Sequence, residues 1–168
     1  DAYWSLTAKF LEIAAREWPA ILGELGQVDA EQRTRTLLPR HAGSLAEAGY
    51  DRPVIIAGST GSVSATAELM AAVARLPRGA VVLPGLDMDL DAESWAAVGA
   101  VDSALASRFA HPQATLKRTL ARIGVTRQAV MRLARAPADG RARLVSEVFR
   151  PAETSEGWNV LEPGPVPD

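Results

Sequence analysis

The segment from Arg52 to Asp91, RPVIIAGSTGSVSATAELMAAVARLPRGAVVLPGLDMDLD, constrains the fold more than any other. Pro53 to Ala57 is a short apolar run that enters the turn Gly58-Ser59-Thr60-Gly61-Ser62. Val63 to Leu76 has helical composition, and Ala80 to Leu83 is a second apolar run ending at Pro84-Gly85. Short apolar runs on either side of a helix of this length predict a βαβ unit with parallel strands. Such sheets carry their functional groups at the carboxyl ends of the strands. The positions to watch are therefore Ala57 to Ser62 and Gly85 to Asp91. The expected class is α/β: helix-rich, with a small parallel sheet flanked by helices.

Helical patterns surround this unit. Between Trp4 and Leu25, the residues Leu6, Phe10, Ile13, Ala14, Trp18, Ile21, Leu22 and Leu25 recur on one helix face. Pro19 should kink or split that helix near Glu17-Trp18. Asp29 can cap a second helix from Ala30 to about Ala48, bending at Pro39 and ended by Gly49. After the βαβ unit, Asp91 is an N-cap for a short helix carrying Trp95 and Val98. Further helices are expected over Val101–Phe109, Ala114–Ile123 (closed by Gly124), Arg127–Ala134 (capped by Thr126) and Arg141–Phe149, with a loop at Pro137–Gly140. The four tryptophans are expected to be packing anchors. Residues 1–158 form one expected unit, helical over 1–50 and 92–158, with 159–168 as a Pro-rich tail or linker. Two strands alone make a marginal sheet, so a piece of a longer polypeptide is expected.

Composition narrows the chemistry. The 168 residues suffice for one domain with a core, and a net charge of -2 argues against whole-surface attraction to nucleic acid. The absence of cysteine removes disulfides, thiolate metal sites and a cysteine nucleophile. It fits a reducing compartment, so a cytoplasmic location is expected. No apolar run approaches the roughly 20 residues that cross a bilayer, so no membrane association is expected.

The glycine-rich turn sits where phosphates meet backbone amides, yet it matches neither G-x-x-x-x-G-K-[ST] nor G-x-G-x-x-G. The bland reading is a tight turn with Ser62 or Ser64 capping the helix. Asp87, Asp89 and Asp91 alternate after the second strand like the start of an EF-hand loop, but Ala92 and Val98 occupy its glycine and glutamate positions. Solvated loop acids, with Asp91 as a cap, are the simpler reading, and no metal site is assigned. His111 before Pro112 has no triad around it. Basic residues, among them Lys117, Arg118, Arg122, Arg127, Arg132, Arg135, Arg141 and Arg143, gather in the last third. They form either a DNA-contacting surface or solvated helix faces.

The wording Trp4-Ser5-Leu6-Thr7-Ala8-Lys9-Phe10-Leu11, then Pro53 to Ser62, Leu76 to Asp87, His111-Pro112-Gln113 and Arg150-Pro151-Ala152-Glu153-Thr154, resembles AddB, the double-strand-break repair subunit, in its alphaproteobacterial form. The resemblance implies a large parent that pairs with AddA in a helicase-nuclease processing broken DNA ends for homologous recombination. This chain would belong to its N-terminal helicase-like region, part of a superfamily 1, RecA-like core. Magnesium and an iron-sulfur cluster would lie elsewhere in the parent, with no cofactor in this segment. By strand order, Ala57, Gly58, Ser59 and Thr60 would stand where such a core has its Asp-Glu pair. Gly85 and Asp87 would echo its Gly-Asp…Gln motif, with no glutamine following. Those acids hold the metal and position water, so the implied state is a degenerate, non-hydrolysing nucleotide site. Lys117, Arg118, Arg122, Arg127 and Arg132 would be the DNA-contacting residues. Two other readings stay open: a small metal-dependent phosphoester or nucleotide hydrolase using Asp87 and Asp89, and a helix-mediated protein-interaction module.

Overall fold

A computed structural model describes residues 2–48, 50–100, 110–133 and 140–160. The expected helix Val101–Phe109, the Gly49 terminator, Arg135, most of the Pro137–Gly140 loop and nearly all of the 159–168 tail lie outside the described residues. Among those described, the order is α1 (Ala2–Glu24), α2 (Ala30–Glu47), β1 (Val54–Ala57), α3 (Ser64–Ala74), β2 (Gly79–Val82), α4 (Ala92–Ala97), α5 (Ala114–Ile123) and α6 (Arg141–Val148). Two 3-10 segments, Arg127–Ala129 and Ala152–Val160, accompany them. The protein is thus helix-rich with a small parallel sheet, as the alternating pattern implies.

β1 and β2 pair in parallel, with Val54 opposite Gly79 and Ala57 opposite Val82. This register brings the Gly58 turn and the Gly85 loop to the same end of the sheet. α3 crosses between the strands and is buried through Ala65, Ala67, Met70, Ala71 and Val73. Its alanines let α2 approach closely, with Ala42 and Leu45 as the buried residues of α2. Leu116 and Leu120 of α5 are buried as well, and α5 packs on α3. A second cluster joins Leu90, Val98 and Ala114, with Trp95 against it. The far side of the sheet is open: Ile55 is 65% exposed. Gly79 starts β2 because nothing larger fits there, since a Cβ would stand 1.8 Å from the Val73 carbonyl oxygen.

Local signals decide the helix ends. Asp29 accepts the Gln32 amide at 2.6 Å and Asp91 accepts the Ser94 amide at 2.7 Å, so both expected caps form. Gly124 closes α5 in the left-handed conformation, φ 82°. Other expectations need correction. α1 runs through Pro19 instead of splitting, because tolerating one missing amide bond keeps the whole apolar stripe on one helix. Neither Ser62 nor Ser64 caps α3; its N-cap is Val63, with no side-chain bond. The expected helix from Arg127 is not seen over residues 127–133, which hold a single 3-10 turn at Arg127–Ala129 because Arg127 is drawn inward; Ala134 lies outside the described residues. The tryptophans are not uniform anchors: Trp4 and Trp18 are 73% and 55% exposed, and only Trp95 packs on the core cluster.

Candidate functional site

The two loops at the carboxyl edge of the sheet are tied down through their main chains, while Ala57, Gly58 and Gly85 stay exposed. α5 lies over both, and its polar side chains bond their main chains. Thr119, 2% exposed, donates from Oγ1 to the Thr60 carbonyl at 2.8 Å. The same hydroxyl fills the space beside Gly61, where an added Cβ would stand 2.6 Å from it. Gly61 has φ 71° and its amide meets Ser59 Oγ at 3.2 Å, so the turn closes on itself as well as on α5. At the start of α3, Arg122 donates to the carbonyl and hydroxyl oxygens of Ser64 at 3.1 and 3.0 Å.

The second loop is gripped by the residue just before α5. Gln113 donates through Nε2 to the Gly85 carbonyl at 2.9 Å and accepts the Asp87 amide on Oε1 at 3.0 Å. Gln113 thus holds both ends of the Gly85–Asp87 stretch from a distant position in the sequence. No helical or strand period links residues 85 and 113, and only the His111-Pro112-Gln113 wording drew attention to it. His111 completes the entry to α5. Its Nδ1 accepts the Gln113 amide at 3.1 Å, which leaves Nε2 as the protonated nitrogen donating to the Phe149 carbonyl at 2.6 Å. Its role is to join α5 to the end of α6.

The acidic loop is equally occupied. Asp87 Oδ1 accepts the amides of Asp89 and Leu90 at 2.8 and 3.0 Å, the geometry of an Asx turn. Asp89 pairs with Arg132 at 3.1 Å. Asp91 caps α4. Among the described residues, no group of three or more His, Asp or Glu side chains is arranged to hold a metal ion.

The basic residues divide into two groups. Lys117 donates to the carbonyls of Trp95, Ala96 and Val98 at 2.7, 2.9 and 2.7 Å, satisfying the exposed end of α4. Burial pulls its pKa below the usual lysine value. Arg127 is 7% exposed, lies 4.6 Å over the Trp95 ring, and donates to the carbonyls of Asp87 and Leu90 at 3.1 and 2.7 Å. Both were expected on a DNA-contacting surface; here these donors are spent on main-chain carbonyls, so both clamp neighbouring segments of the chain. Arg118, Arg122 and Arg132 remain exposed, with Arg118 bonding Thr115, Arg122 bonding Ser64 and pairing with Glu68 at 3.9 Å, and Arg132 pairing with Asp89.

One further constellation escaped the sequence reading. Arg150, 13% exposed at its side chain, binds Glu147 through two hydrogen bonds at 2.7 and 2.6 Å and also reaches Asp91 and Ser94. Ser94 is fully buried and meets Thr154 Oγ1 at 2.9 Å, so the cluster ties α4, α6 and the last 3-10 segment together. The Ser94 amide and then the Arg150 guanidinium hold Asp91 down to about 2. Arg150 likewise lowers Glu147, and its own pKa rises further because of the two acids. Around it opens a cavity of about 330 Å³ lined by Asp91, Glu93, Glu147, Glu153 and Glu156. The sequence hint was Arg150-Pro151 together with the Asp91 cap, but the pair is 59 residues apart.

No protein-family model, curated protein or solved structure matches this chain.

Proposed function

We propose that the chain is a non-catalytic, helicase-like segment of an AddB-type subunit, a RecA-like fragment that serves as scaffold and as a DNA- and partner-contacting surface in double-strand-break processing. The observation that carries this reading is that Thr119 of α5 and Gln113 just before it bond the main chains of the turn and loop at the carboxyl edge. Parallel strands with Ala57 and Gly85 at one edge frame the place where an α/β sheet binds ligands. Thr119 and Gln113 occupy the turn and loop that would have to receive a nucleotide there. The degenerate positions Ala57, Gly58, Ser59, Thr60, Gly85 and Asp87 hold their own fold together. Such a segment assembles with an AddA-type subunit in the cytoplasm, and the parent's magnesium and iron-sulfur chemistry lies outside it.

DNA contact falls on Arg118, Arg122 and Arg132, whose exposed guanidinium groups suit phosphates as planar forks. The purified chain is expected to show no ATP turnover and no magnesium-dependent nucleotide binding, and weak, salt-sensitive binding to duplex DNA. Replacing the three arginines together with alanine should lower the salt slope of that binding by about 2 to 3. Robust ATPase activity refutes the reading, and a slope unchanged by the triple replacement refutes the surface.

A further inference from the structure

Nearly every large apolar side chain of α1 is in solvent. Tyr3, Trp4, Leu6 and Phe10 are 68–76% exposed, and Trp18 and Ile21 are 55% and 47% exposed. At about 150–250 Å² per aromatic side chain, Tyr3, Phe10 and Trp18 leave roughly 400 Å² uncovered, and Ile21 and Leu25 bring that face to roughly 600 Å². That is the upper end of the largest patch typical of a monomer and the low end, about 600 Å² per partner, of specific interfaces. Among the described residues of α1 only Leu22, near its carboxyl end, is buried, so the helix is anchored there and projects its amino-terminal part outward.

The order of residues along the face is symmetric. Positions 3, 7, 10, 14, 18, 21 and 25 lie on one line of the helix, with spacings that read the same in both directions about Ala14. Leu25 still belongs to this line, because its amide bonds the Ile21 carbonyl at 3.1 Å. Tyr3 to Ala14 to Leu25 is an 11-residue repeat, close to the period of a straight helix, so the line does not drift around the axis. Lys9, Glu12 and Arg16 fall on the opposite side. Of the two hydroxyls on the line, that of Thr7 already donates to the Tyr3 carbonyl at 3.0 Å, so covering it strands no polar group, and that of Tyr3 sits at the end of the helix.

We propose that α1 pairs antiparallel with α1 of a second copy, about a twofold axis at Ala14. Phe10 then meets Trp18, Thr7 meets Ile21 and Tyr3 meets Leu25, each pair occurring twice as an isologous interface requires. The small side chain at the axis lets the helices close while the aromatics pack on either side of it. Antiparallel pairing also sets the two bodies at opposite ends of a helix pair ~35 Å long, where a parallel pair would force them together. The inference rests on α1 alone and is independent of the helicase-subunit reading.

The chain has no cysteine, so single substitutions report the geometry directly. Ala14→Cys should form a disulfide-linked dimer under mild oxidation, whereas Thr7→Cys should form at least tenfold less. A mixture of Thr7→Cys and Ile21→Cys chains should cross-link to each other. Ala14→Glu, which leaves the body untouched by circular dichroism, should convert the dimer seen in sedimentation equilibrium to a monomer. A wild-type chain that stays monomeric at about 100 μM, where even a micromolar dimer is saturated, overturns the proposal. Equal self-cross-linking at positions 7 and 14 overturns it too, because that signifies a parallel pair, as does open-ended association.

Discussion

Replacing Arg150 with methionine removes the guanidinium while keeping a side chain that fills the same slot. Glu147, 18% exposed, loses two charge-assisted hydrogen bonds, and Asp91, half exposed, loses one. Breaking a fully buried pair costs about 3–5 kcal/mol, and partial solvent access reduces the Glu147 share to about 2 kcal/mol. Asp91 is exposed enough that screening leaves about 0.5–1 kcal/mol for its share. The expected total is about 3 kcal/mol, which at a slope of about 2 kcal/mol per molar urea moves the unfolding midpoint down by about 1.5 M. Acid should reveal the same interaction. Both carboxyls have folded pKa values below their unfolded ones, Asp91 at about 2, so their stabilisation is complete above the ordinary carboxylate range and fades as pH falls towards 2. The gap between wild type and Arg150→Met should therefore be full at pH 7 and close progressively below pH 4. A midpoint shift under about 0.5 M at pH 7, or a gap independent of pH, refutes the assignment of Arg150 as the tie between α4 and α6.

Gly61→Ala combines a left-handed backbone with a Cβ 2.6 Å from the Thr119 hydroxyl, so a loss of about 2–3 kcal/mol is expected in thermal melts, partly recovered by adding Thr119→Ala. Gly79→Ala drives a Cβ into the Val73 carbonyl, and no cooperative unfolding transition should remain by calorimetry. Lys117→Met strips three carbonyls of their donor and should cost about 2 kcal/mol in urea titrations while leaving the salt dependence of DNA binding unchanged. Gln113→Leu should speed amide exchange at Asp87, whose N–H then has no side-chain acceptor.

The elements legible from sequence are those whose signal is local. The βαβ unit, its parallel sense, the Asp29 and Asp91 caps and the Gly124 stop each rest on a few adjacent residues. The misreadings come from long-range forces. Arg127 composes well into a helix, yet a stacking partner and two carbonyls pull it into a 3-10 turn. The apolar sides of α1 and α6 are plain in the sequence, but Leu144 and Val148 are 61% and 60% exposed, because periodicity reveals a face and not what covers it. At the candidate site, the lack of a P-loop lysine after the glycine-rich turn was plain from the motif, whereas Thr119, Gln113 and Arg150 gave no local sign of their destinations.

Thr119, Gln113, Lys117 and Arg127 share a habit: each addresses main-chain atoms of the element it holds. A grip on the main chain is indifferent to which side chains the held residues carry. Thr60, Leu90, Ala96 and Val98 can drift, within the limits of their packing, without loosening the hold, while the four gripping residues cannot. Selection on this edge would leave a one-sided record, with constancy in and around α5 and no matched exchange in the loops beneath it. Paired substitutions, the usual trace of two residues in contact, should accordingly be scarcest where this fold is most tightly fastened.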